Sequence, residues 1–493
     1  GKTPCGVQLV CMLARAANAG DKSLGVPTPN GGRMIRALVV CPQQVRLNWA
    51  REFDKFAVTK GKVSIMRGGI HDRVRKIAEM IAAEDGLTFS ATICSYDSLV
   101  RTSQYAALVE WDVIITDECH YFKDPRTNRW EEMSKMRFSS KYRLAMSGSP
   151  IGNSPMDLWT QLEFLGEGYS GFKSYKAFRK FHGVYEPVQG AQGVEKLVAL
   201  RNIPLLQERL ARLSFSVTKT EAGLNLPDKV YSIFEVKMEA YQADVYAKLR
   251  DQLALEIEDK LSGDIVDEVT INNILTQLLR LAQVTSGYIT YDERRDPDSG
   301  EIVTPRRVQE LCPVNPKFEA VRELLTEERD PRAKTIIWCN FIQNIKVISE
   351  RLTEMGITHG CYYGGTSHSE RDFLVDEFNN NPEFKVLICN PQTAGEGLNL
   401  LGYNLKNPEL TDTFCDMEIF FSSNWSAIQR SQAEDRAHRR GTRMPVQVID
   451  LVVPGTIDEE ILDRVTSKRK MAASVGDLRG ALGRILGRNV VSD

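Results

Sequence analysis

The sequence predicts an α/β protein with two tandem domains, each built on a parallel sheet. From residue 1 to about 225, short apolar runs rich in β-branched residues alternate with segments of helical period, and the same alternation starts again near residue 335. This alternation is typical of parallel strands joined by helical crossovers. The predicted strands are 37–41, 63–66, 91–94, 113–116 and 143–146 in the first domain, and 335–339, 359–363, 385–389, 417–421 and 446–451 in the second.

The predicted domain limits follow from changes in this pattern of apolar residues along the chain. We expect a first lobe at 1–228 with an insertion at about 160–215, and a second lobe at 311–493 that includes C-terminal helices. The intervening stretch, 229–310, contains Met238–Val284, whose apolar residues recur at helical spacing without a strand signal. We interpret it as a helical insertion. The segments 183–193 and 291–300 are rich in glycine or polar residues and are expected to form loops.

Amino-acid composition limits the classes of protein to which this chain can belong. A chain of 493 residues with 42% hydrophobic and 26% charged residues can bury a full core. Its apolar runs are far shorter than the roughly 20 residues that span a bilayer, and it opens with no charged and apolar leader, so we expect no membrane association. The 10 cysteines stand singly and the 6 histidines are dispersed, so we expect no zinc and a reducing compartment. That compartment is the cytoplasm, a nucleoid or viral replication site, or the nucleus of a eukaryote.

The start of the chain carries a candidate phosphate site. Gly1, Lys2 and Thr3 precede a run of helical period, as at the end of a phosphate-binding loop. In such a loop the lysine binds phosphates and the hydroxyl holds Mg²⁺. The positive N-terminal end of the helix also attracts the phosphates. The tripeptide alone is weak evidence, because it also occurs by chance.

Two further segments follow predicted strands of the same domain. Asp117 and Glu118 come directly after the apolar run 113–115, and Ser147, Gly148 and Ser149 follow the next strand. A magnesium-dependent ATPase needs one carboxylate for the metal and a neighbour that polarises water. A solvated acidic turn is the simpler interpretation of the pair. Because ligand sites of parallel sheets form at the carboxyl ends of strands, the combination favours a shared site.

Near the other end, residues 432–441 contain an amide and several cations. If this segment is helical, Gln432, Arg436 and Arg439 lie on one face and point at a single anion. A solvated basic helix is the alternative. Together with a phosphate loop and a metal carboxylate in the first domain, the pattern favours arginine fingers.

These segments, taken in order, resemble the motifs of the Swi/Snf branch of the superfamily-two helicases. The matching segments are GKT (1–3), VVCPQQVRLNWAREFDKF (39–56), ICSYDSL (93–99), DECH (117–120), SGSPIGN (147–153), VTKTEAGLNLPDK (217–229), IIWCNF (336–341), YYGGTSHSERDFLVDEFN (362–379), TAGEGLNL (393–400) and QAEDRAHRRG (432–441). The resemblance covers nearly the whole chain. It implies two RecA-like lobes, ATP hydrolysis between them, and tracking along duplex DNA.

The resemblance also implies roles for single residues. Gly1, Lys2 and Thr3 would bind ATP, Thr3 and Asp117 would hold Mg²⁺ through water, and Glu118, Gln432, Arg436 and Arg439 would be catalytic. Ser147, Gly148, Ser149, Gly395 and Gly397 would couple the lobes. Double-stranded DNA would be contacted, with weak sequence preference, by Pro42, Gln43, Ser95, Tyr96, Gly364, Gly365, Thr366, Ser367, Thr393 and Asn399. For the single polar residues, an ordinary loop hydrogen bond is an equal alternative.

Some positions depart from the family pattern. Thr442 stands where the family has glutamine, and a segment of roughly Gly402 to Cys415 interrupts the spacing between two motifs. Two other functions remain open beside the translocase. One is a strand-separating DNA or RNA helicase, although no wedge hairpin is evident. The other is a nucleotide-gated DNA clamp with weak hydrolysis.

Overall fold

The computed structural model describes the chain except for residues 1, 149, 152–153, 188–194, 218–220, 222, 224–225, 262–267, 292–293, 296–301, 306, 328, 396–397, 406, 410 and 477–493. The described residues form two compact units. The first consists mainly of Gly1–Val184 and Ala199–Phe215, and the second of Tyr185–Val198 and Ser216–Arg469. The predicted lobe limit at residue 228 stays a prediction.

The first unit contains a six-stranded sheet with the strand order β3-β4-β2-β5-β6 and a short antiparallel β1 beside β2. The neighbours along this order are parallel. The strands are β1 (Val26–Pro27), β2 (Arg33–Cys41), β3 (Gly61–Ile65), β4 (Phe89–Ser95), β5 (Trp111–Asp117) and β6 (Ser140–Met146). The helices are α1 (Lys2–Asn18), α2 (Arg46–Phe56), α3 (Ile70–Ile81), α4 (Tyr96–Ala106), α5 (Asn128–Met136), α6 (Leu158–Leu165), α7 (Tyr175–His182) and α8 (Ile203–Leu213).

The central strands of this sheet are buried on both faces, as expected where helices cover a parallel sheet. Every residue of β4 and β5 is buried. Val39, Ile93 and Ile115 pack into one core with Trp49, whereas Val40 and Ile114 pack into the core on the other face. The predicted α/β architecture of this unit is confirmed. Next along the chain, β7 (Gly183–Pro187) and β8 (Glu195–Leu200) pair in a two-stranded sheet, so the loop prediction for 183–193 was wrong at its start.

The second unit contains a six-stranded sheet with the order β15-β16-β14-β17-β18-β9, in which all neighbours are parallel. Its first strand and the insertion are β9 (Lys229–Glu235), α9 (Ala240–Leu261), α10 (Glu268–Thr285), β10 (Tyr288–Tyr291), β11 (Arg294–Arg295), β12 (Ile302–Thr304) and β13 (Arg307–Glu310). The remaining elements are α11 (Pro316–Thr326), β14 (Ala333–Trp338), α12 (Ile342–Glu354), β15 (His359–Tyr362), α13 (His368–Asn380), β16 (Val386–Cys389), α14 (Pro391–Ala394), β17 (Phe414–Phe420), α15 (Ala427–Glu434), β18 (Val446–Val452) and α16 (Ile457–Gly476).

The stretch predicted as a helical insertion contains α9 and α10, and two details around it differ from the prediction. Residues 229–235 were assigned to the inter-lobe stretch, but they form β9, which pairs with β18 in the second sheet. The segment 291–300 was expected to be a loop, but Tyr291 and the pair Arg294–Arg295 belong to strands of two small antiparallel sheets. Short edge and hairpin strands carry little apolar pattern, so sequence periodicity does not reveal them.

Charged side chains are buried inside the second unit. Arg430 donates to Glu434 Oε1 at 2.8 Å and to Asp450 Oδ2 at 2.8 Å, and its guanidinium lies over the Phe420 ring. Lys229 donates to Glu434 Oε2 at 3.1 Å. These four charged residues, Arg430, Glu434, Asp450 and Lys229, are called the buried ion network below. Each of their carboxylates has a cationic partner, as the burial of charge requires.

Glu418 of β17 lies close to this network and differs from it. Its side chain is fully buried, and Oε2 accepts a hydrogen bond of 2.7 Å from Trp338 Nε1. Oε1 is buried without a partner among the described residues. Burial, reinforced by the charge of Glu434, raises the pKa of Glu418 to about 8.

Among the described residues, no helix combines the length and the hydropathy needed to cross a membrane.

Candidate active site

The predicted site residues of the first unit lie at the carboxyl edge of its sheet. The parallel strands β2, β4, β5 and β6 end at Cys41, Ser95, Asp117 and Met146, and the predicted segments follow each of these ends. The carboxyl ends of parallel strands meet at one edge, which is where open α/β sheets bind ligands. The fold therefore gathers segments that are far apart in the sequence.

Two adjacent carboxylates at the end of β5 have different surroundings. Asp117 is buried, and its Oδ2 accepts a hydrogen bond of 3.0 Å from Trp49 Nε1, while Oδ1 accepts one of 3.0 Å from the Glu118 backbone N–H. Glu118 has φ 51° and ψ 54°, the left-handed region that non-glycine residues rarely adopt. The sharp turn at Glu118 gives the two neighbouring carboxylates separate contacts. Backbone strain of this kind is concentrated at functional sites.

The Glu118 carboxylate is the centre of a polar cluster. Lys2 Nζ lies 2.7 Å from Oε1, His120 Nδ1 lies 3.2 Å from Oε2, and Ser147 Oγ lies 3.3 Å from Oε2. His120 Nδ1 is also 3.1 Å from Ser147 Oγ. Lys2, Glu118, His120 and Ser147 are called the strand-tip cluster below. The Glu118 side chain is 17% exposed and that of Lys2 is 40% exposed, so the cluster is open to solvent on the lysine side.

The charges of the cluster shift its pKa values in different directions. Burial alone would raise the pKa of Glu118, but the hydrogen bond from His120 and the Lys2 ammonium outweigh it and hold the pKa well below the usual range. Burial and the neighbouring Glu118 charge raise the pKa of Asp117. Burial would lower the pKa of Lys2, yet Glu118 and Asp117 raise it overall. Glu118 is therefore ionised and Lys2 protonated at neutral pH.

The other predicted residues near this edge fall into two groups. Thr3 lies half-buried in the first turn of α1, Gln43 is exposed, and a Cβ on Gly148 would lie 3.6 Å from Lys2 Nζ. Pro42, Ser95 and Tyr96 are buried. The Ser95 hydroxyl caps α4, and the Tyr96 hydroxyl donates to the Asp117 carbonyl at 2.7 Å. The Ser95 and Tyr96 side chains thus have hydrogen-bond partners within the protein, and their contact with DNA stays a prediction. Gly1 and Ser149 lie outside the described residues.

The predicted arginine pair lies beyond the end of a helix. Gln432 belongs to α15, but this helix ends at Glu434, so Arg436 and Arg439 lie in the following turn and the prediction of one helical face was wrong. The turn nevertheless brings the two guanidinium groups together. Arg436 Nη1 donates to the Leu398 carbonyl at 3.2 Å, and Arg439 Nη1 donates to the same carbonyl at 2.6 Å. Arg436 Nε also donates to the Gln432 carbonyl at 2.8 Å.

The remaining predicted residues follow strands of the second sheet. Gly364, Gly365 and Ser367 are exposed after β15, and the Ser367 hydroxyl caps α13. Thr366 is buried, with its hydroxyl on the Cys361 carbonyl at 2.9 Å, so it is placed to shape the loop.

Four further motif residues come after β16. Thr393 lies in α14. A Cβ on Gly395 would lie 2.3 Å from the Pro391 carbonyl oxygen, so this close approach requires glycine. The Oδ1 atom of Asn399 is buried without a partner among the described residues. Gly397 lies outside them.

Two members of the site were not identified from the sequence. Trp49 was interpreted as core packing, and its side chain is indeed fully buried, but its indole N–H also orients Asp117. A tryptophan in an apolar helix needs an acceptor for that N–H, which is the signal that was available. His120 was noted only as part of a motif, and its position two residues after Glu118 gave no indication of the contact.

Comparison with known proteins identifies the family. The family model described as the SNF2-related domain matches residues 1–286, and the model of the helicase conserved C-terminal domain matches residues 316–441. The transcription regulatory protein SNF2 of Saccharomyces cerevisiae is 26% identical over 445 residues, covering 87% of this chain and 24% of the relative. The ATP-dependent helicase brm of Drosophila melanogaster is 26% identical over 451 residues, covering 89% of this chain and 26% of the relative.

A solved structure is also similar, namely the Sulfolobus solfataricus SWI2/SNF2 ATPase core in complex with dsDNA. It is 24% identical with a TM-score of 0.36, and the match covers 90% of this chain and 83% of that one. The chain spans about a quarter of the length of the yeast and fly relatives. Because one family model matches more than half of the chain, the chain belongs to the family of proteins with an SNF2-related domain.

Proposed function

We propose that this chain is the motor core of an ATP-driven translocase that tracks along duplex DNA. The observation that carries the proposal is the strand-tip cluster, in which Lys2, His120 and Ser147 surround the strained Glu118 next to Asp117. A lysine at a helix start beside paired carboxylates is the arrangement that phosphoryl transfer to water requires. The SNF2-related domain of the chain supports this assignment.

The residues present fit ATP with Mg²⁺. Asp117 and Thr3 offer the oxygen ligands that Mg²⁺ prefers, and the Asp117 carboxylate is held in place by Trp49. Lys2 stands in the first turn of a 17-residue helix, whose positive end favours phosphate. The metal would neutralise the charge of the phosphates. Glu118, ionised at neutral pH, would orient the attacking water and accept its proton.

His120 and Ser147 would keep Glu118 in place for this task. Both contact Glu118 Oε2, so the carboxylate retains one fixed oxygen while Lys2 contacts the other. Lys2 would exchange its contact with Glu118 for phosphate oxygens. Such exchange is favoured by the solvent-open side of the cluster, where 40% of the lysine side chain is exposed.

Arg436 and Arg439 would supply positive charge to the transition state. Their convergence on the single Leu398 carbonyl supports this role, because two guanidinium groups that share one acceptor can also share one phosphate. Gln432 would assist from the last turn of α15. Ser147, Gly148 and Gly395 would link nucleotide state to lobe movement.

Duplex DNA would be held through its phosphates, without base readout. Gln43, Gly364, Gly365 and Ser367 are exposed at strand ends and offer an amide, backbone N–H groups and a hydroxyl, which position a duplex without reading its sequence. Thr393 and Asn399 would add polar contacts in the second lobe. Affinity should fall with salt, in proportion to the number of phosphates bound.

The experiment compares two activities of one preparation of the protein. Phosphate release is measured with duplex DNA, single-stranded DNA and RNA, and ATP-dependent triplex displacement is measured beside fork unwinding. A translocase gives duplex-stimulated hydrolysis and triplex displacement. Fork unwinding without triplex displacement, or stimulation by RNA alone, would contradict the proposal, as would DNA binding without hydrolysis.

A further inference from the structure

The segment Gly402 to Cys415, which interrupts the family spacing, packs against Gly441 and Arg443. We call its described part the 402–415 segment, and we call residues 435–442 the arginine turn. The Tyr403 side chain is buried, and its hydroxyl donates to the Gly441 carbonyl at 2.5 Å. The Gly402 N–H donates to Asn379 Oδ1 at 3.1 Å, and Asn404 Nδ2 donates to Asn380 Oδ1 at 2.8 Å. The segment is therefore anchored on α13 as well as on the turn.

The arginine turn fits closely against this segment. Gly441 has φ 105°, a conformation that favours glycine. A Cβ at Gly441 would lie 2.7 Å from Leu405 Cδ1 and 2.8 Å from the Tyr403 hydroxyl oxygen. A side chain at this position would have to displace the end of the Leu405 side chain and the Tyr403 hydroxyl. The end of the turn is thus pressed directly on Tyr403 and Leu405.

Arg443, which follows Gly441 in the sequence, also contacts the Tyr403 side chain. Its guanidinium carbon lies 3.7 Å from the centre of the Tyr403 ring, and Nη2 donates to the Pro408 carbonyl at 2.9 Å. A planar cation over an aromatic ring is stabilising. The second contact holds the 402–415 segment to the residues that lie between the turn and β18. Tyr403 is therefore restrained at its ring as well as at its hydroxyl.

The backbone that leads into Tyr403 contacts both arginines. Leu398 is the shared carbonyl acceptor of Arg436 and Arg439, and the Leu400 N–H donates to the Arg436 carbonyl at 3.2 Å. Inside the turn, the Arg439 N–H donates to Thr442 Oγ1 at 2.8 Å. Thr442, a departure from the family pattern, thus closes the turn locally. Residues 398–403 contact the turn at Arg436, Arg439 and Gly441.

We propose that Tyr403, held by Arg443, is a positioning residue that sets the arginine turn for catalysis. The proposal rests on the proposed function, in which Arg436 and Arg439 act on the transferred phosphate. The Tyr403 hydroxyl anchors one end of the turn and Leu398 anchors the guanidinium groups. The 402–415 segment thereby fixes the angle at which both arginines leave the turn.

The main test replaces Tyr403 with phenylalanine, which removes the hydroxyl and keeps the ring beneath Arg443. We expect Y403F to lower kcat of DNA-stimulated ATP hydrolysis about tenfold with little change in KM, because small displacements of catalytic groups cost rate rather than binding. The matched control is Y246F. The Tyr246 hydroxyl accepts a 2.8 Å hydrogen bond from the Ile457 N–H, so Y246F also removes a buried hydroxyl, but far from the turn in sequence. It should keep kcat.

A second arm separates positioning from simple stability. In the R439A background, whose residual hydrolysis is followed under single-turnover conditions, Y403F should cause little further loss, because residues that act as a unit are not additive. R443M should lower kcat in the same direction as Y403F and less strongly. Wild-type kcat in Y403F, or the same fold loss with and without Arg439, would overturn the inference. Full turnover in R439A alone would contradict the arginine role itself.

Discussion

The strand-tip cluster of the first sheet and the buried ion network of the second use the same side-chain types in different ways. In the network, Arg430 is 6% exposed, Glu434 is fully buried, and the charges are matched by opposite charges. In the cluster, Lys2 and Glu118 are 40% and 17% exposed, and Glu118 has a left-handed backbone conformation. Complete pairing of buried charges holds the side chains in one arrangement. Partial exposure and backbone strain allow charged side chains to change partners.

The comparison therefore predicts that the cluster governs rate and the network governs stability. An exposed or half-exposed ion pair contributes little to stability. Removal of one partner from a buried pair costs several kcal/mol, because it leaves an uncompensated charge. The same class of substitution should thus give opposite phenotypes in the two regions.

Glu118→Gln should have the largest effect on turnover. Removing the carboxylate that orients water should lower turnover by about 10²- to 10⁴-fold, while ATP binding changes little. Steady-state phosphate release, nucleotide affinity and thermal unfolding are measured on the same protein. The control is Glu110→Gln, which alters an exposed carboxylate of the same unit. Near wild-type turnover in E118Q would break the assignment of the strand tip.

Arg430→Met should reduce stability by about 3–5 kcal/mol, since Glu434 and Asp450 lose their shared cation. Amide hydrogen exchange of β18 measures this locally. The matched control is Arg351→Met, which breaks an ion pair with Glu354 whose side chains are 44% and 63% exposed. The control should cost less than about 1 kcal/mol. Equal exchange rates in the two variants would refute the contrast between buried and exposed pairs.

His120→Ala should have a moderate effect that depends on pH. The hydrogen bond from His120 helps to keep the pKa of Glu118 low, so its loss should raise that pKa. Glu118 acts when ionised, so the acid limb of the kcat profile should move to higher pH. At neutral pH, where Glu118 stays ionised, the rate should fall about tenfold because the carboxylate loses a contact that holds it in place. His182→Ala, at another buried histidine of the unit, is the control. An unchanged acid limb would remove His120 from the site.

Glu418→Gln should have the smallest effect on turnover, and the substitution should appear only as a change in the pH dependence of stability. The pKa of Glu418 is raised to about 8 in the folded protein, so the folded state binds more protons than the unfolded state between about pH 4.5 and 8. Stability contributed by this group is present at low pH and falls as pH rises through that window, by at most about 1.4 kcal/mol per pH unit. Urea unfolding of E418Q should be less dependent on pH than wild type. Parallel curves for the two proteins would contradict the raised pKa.

The sequence predicts the centre of each sheet well because burial on both faces leaves a strong apolar signal. The strands predicted at 113–116 and 335–339 are clear examples. Because these strands were placed correctly, the positions of Asp117 and of the second-lobe loops after them also followed from the sequence. The sequence does not reveal β9, whose Val230 and Ile233 are 50% and 58% exposed and whose pairing partner lies far along the chain. Edge strands owe their conformation to a neighbour rather than to their own pattern.

The sequence indicated the types and positions of the candidate site residues, but not the contacts that these residues make. The carboxylate pair at 117–118 follows from a strand that ends in acidic residues. The end of α15 at Glu434 could not be predicted from the sequence, because the following segment with Arg436 and Arg439 continues a helical pattern. In the structure, tertiary contacts with Leu398 and Tyr403 hold this segment in a turn instead. Likewise, the left-handed conformation of Glu118 accompanies contacts with Lys2, His120 and Ser147, of which Lys2 and Ser147 are distant in the sequence. Tertiary structure overrides local propensity at both places.

The pairing of β9 with β18 has a consequence for synthesis on the ribosome. Lys229 pairs with Val446, so β9 emerges roughly 200 residues before its partner exists. At about 5–20 residues per second, this interval lasts on the order of 10–40 s. During it, the apolar side chains of Val230 and Ile233 stand on a nascent strand with no neighbour. Unpaired apolar strands recruit other chains, so chaperone demand should peak in this window and fall once residue 452 has left the exit tunnel.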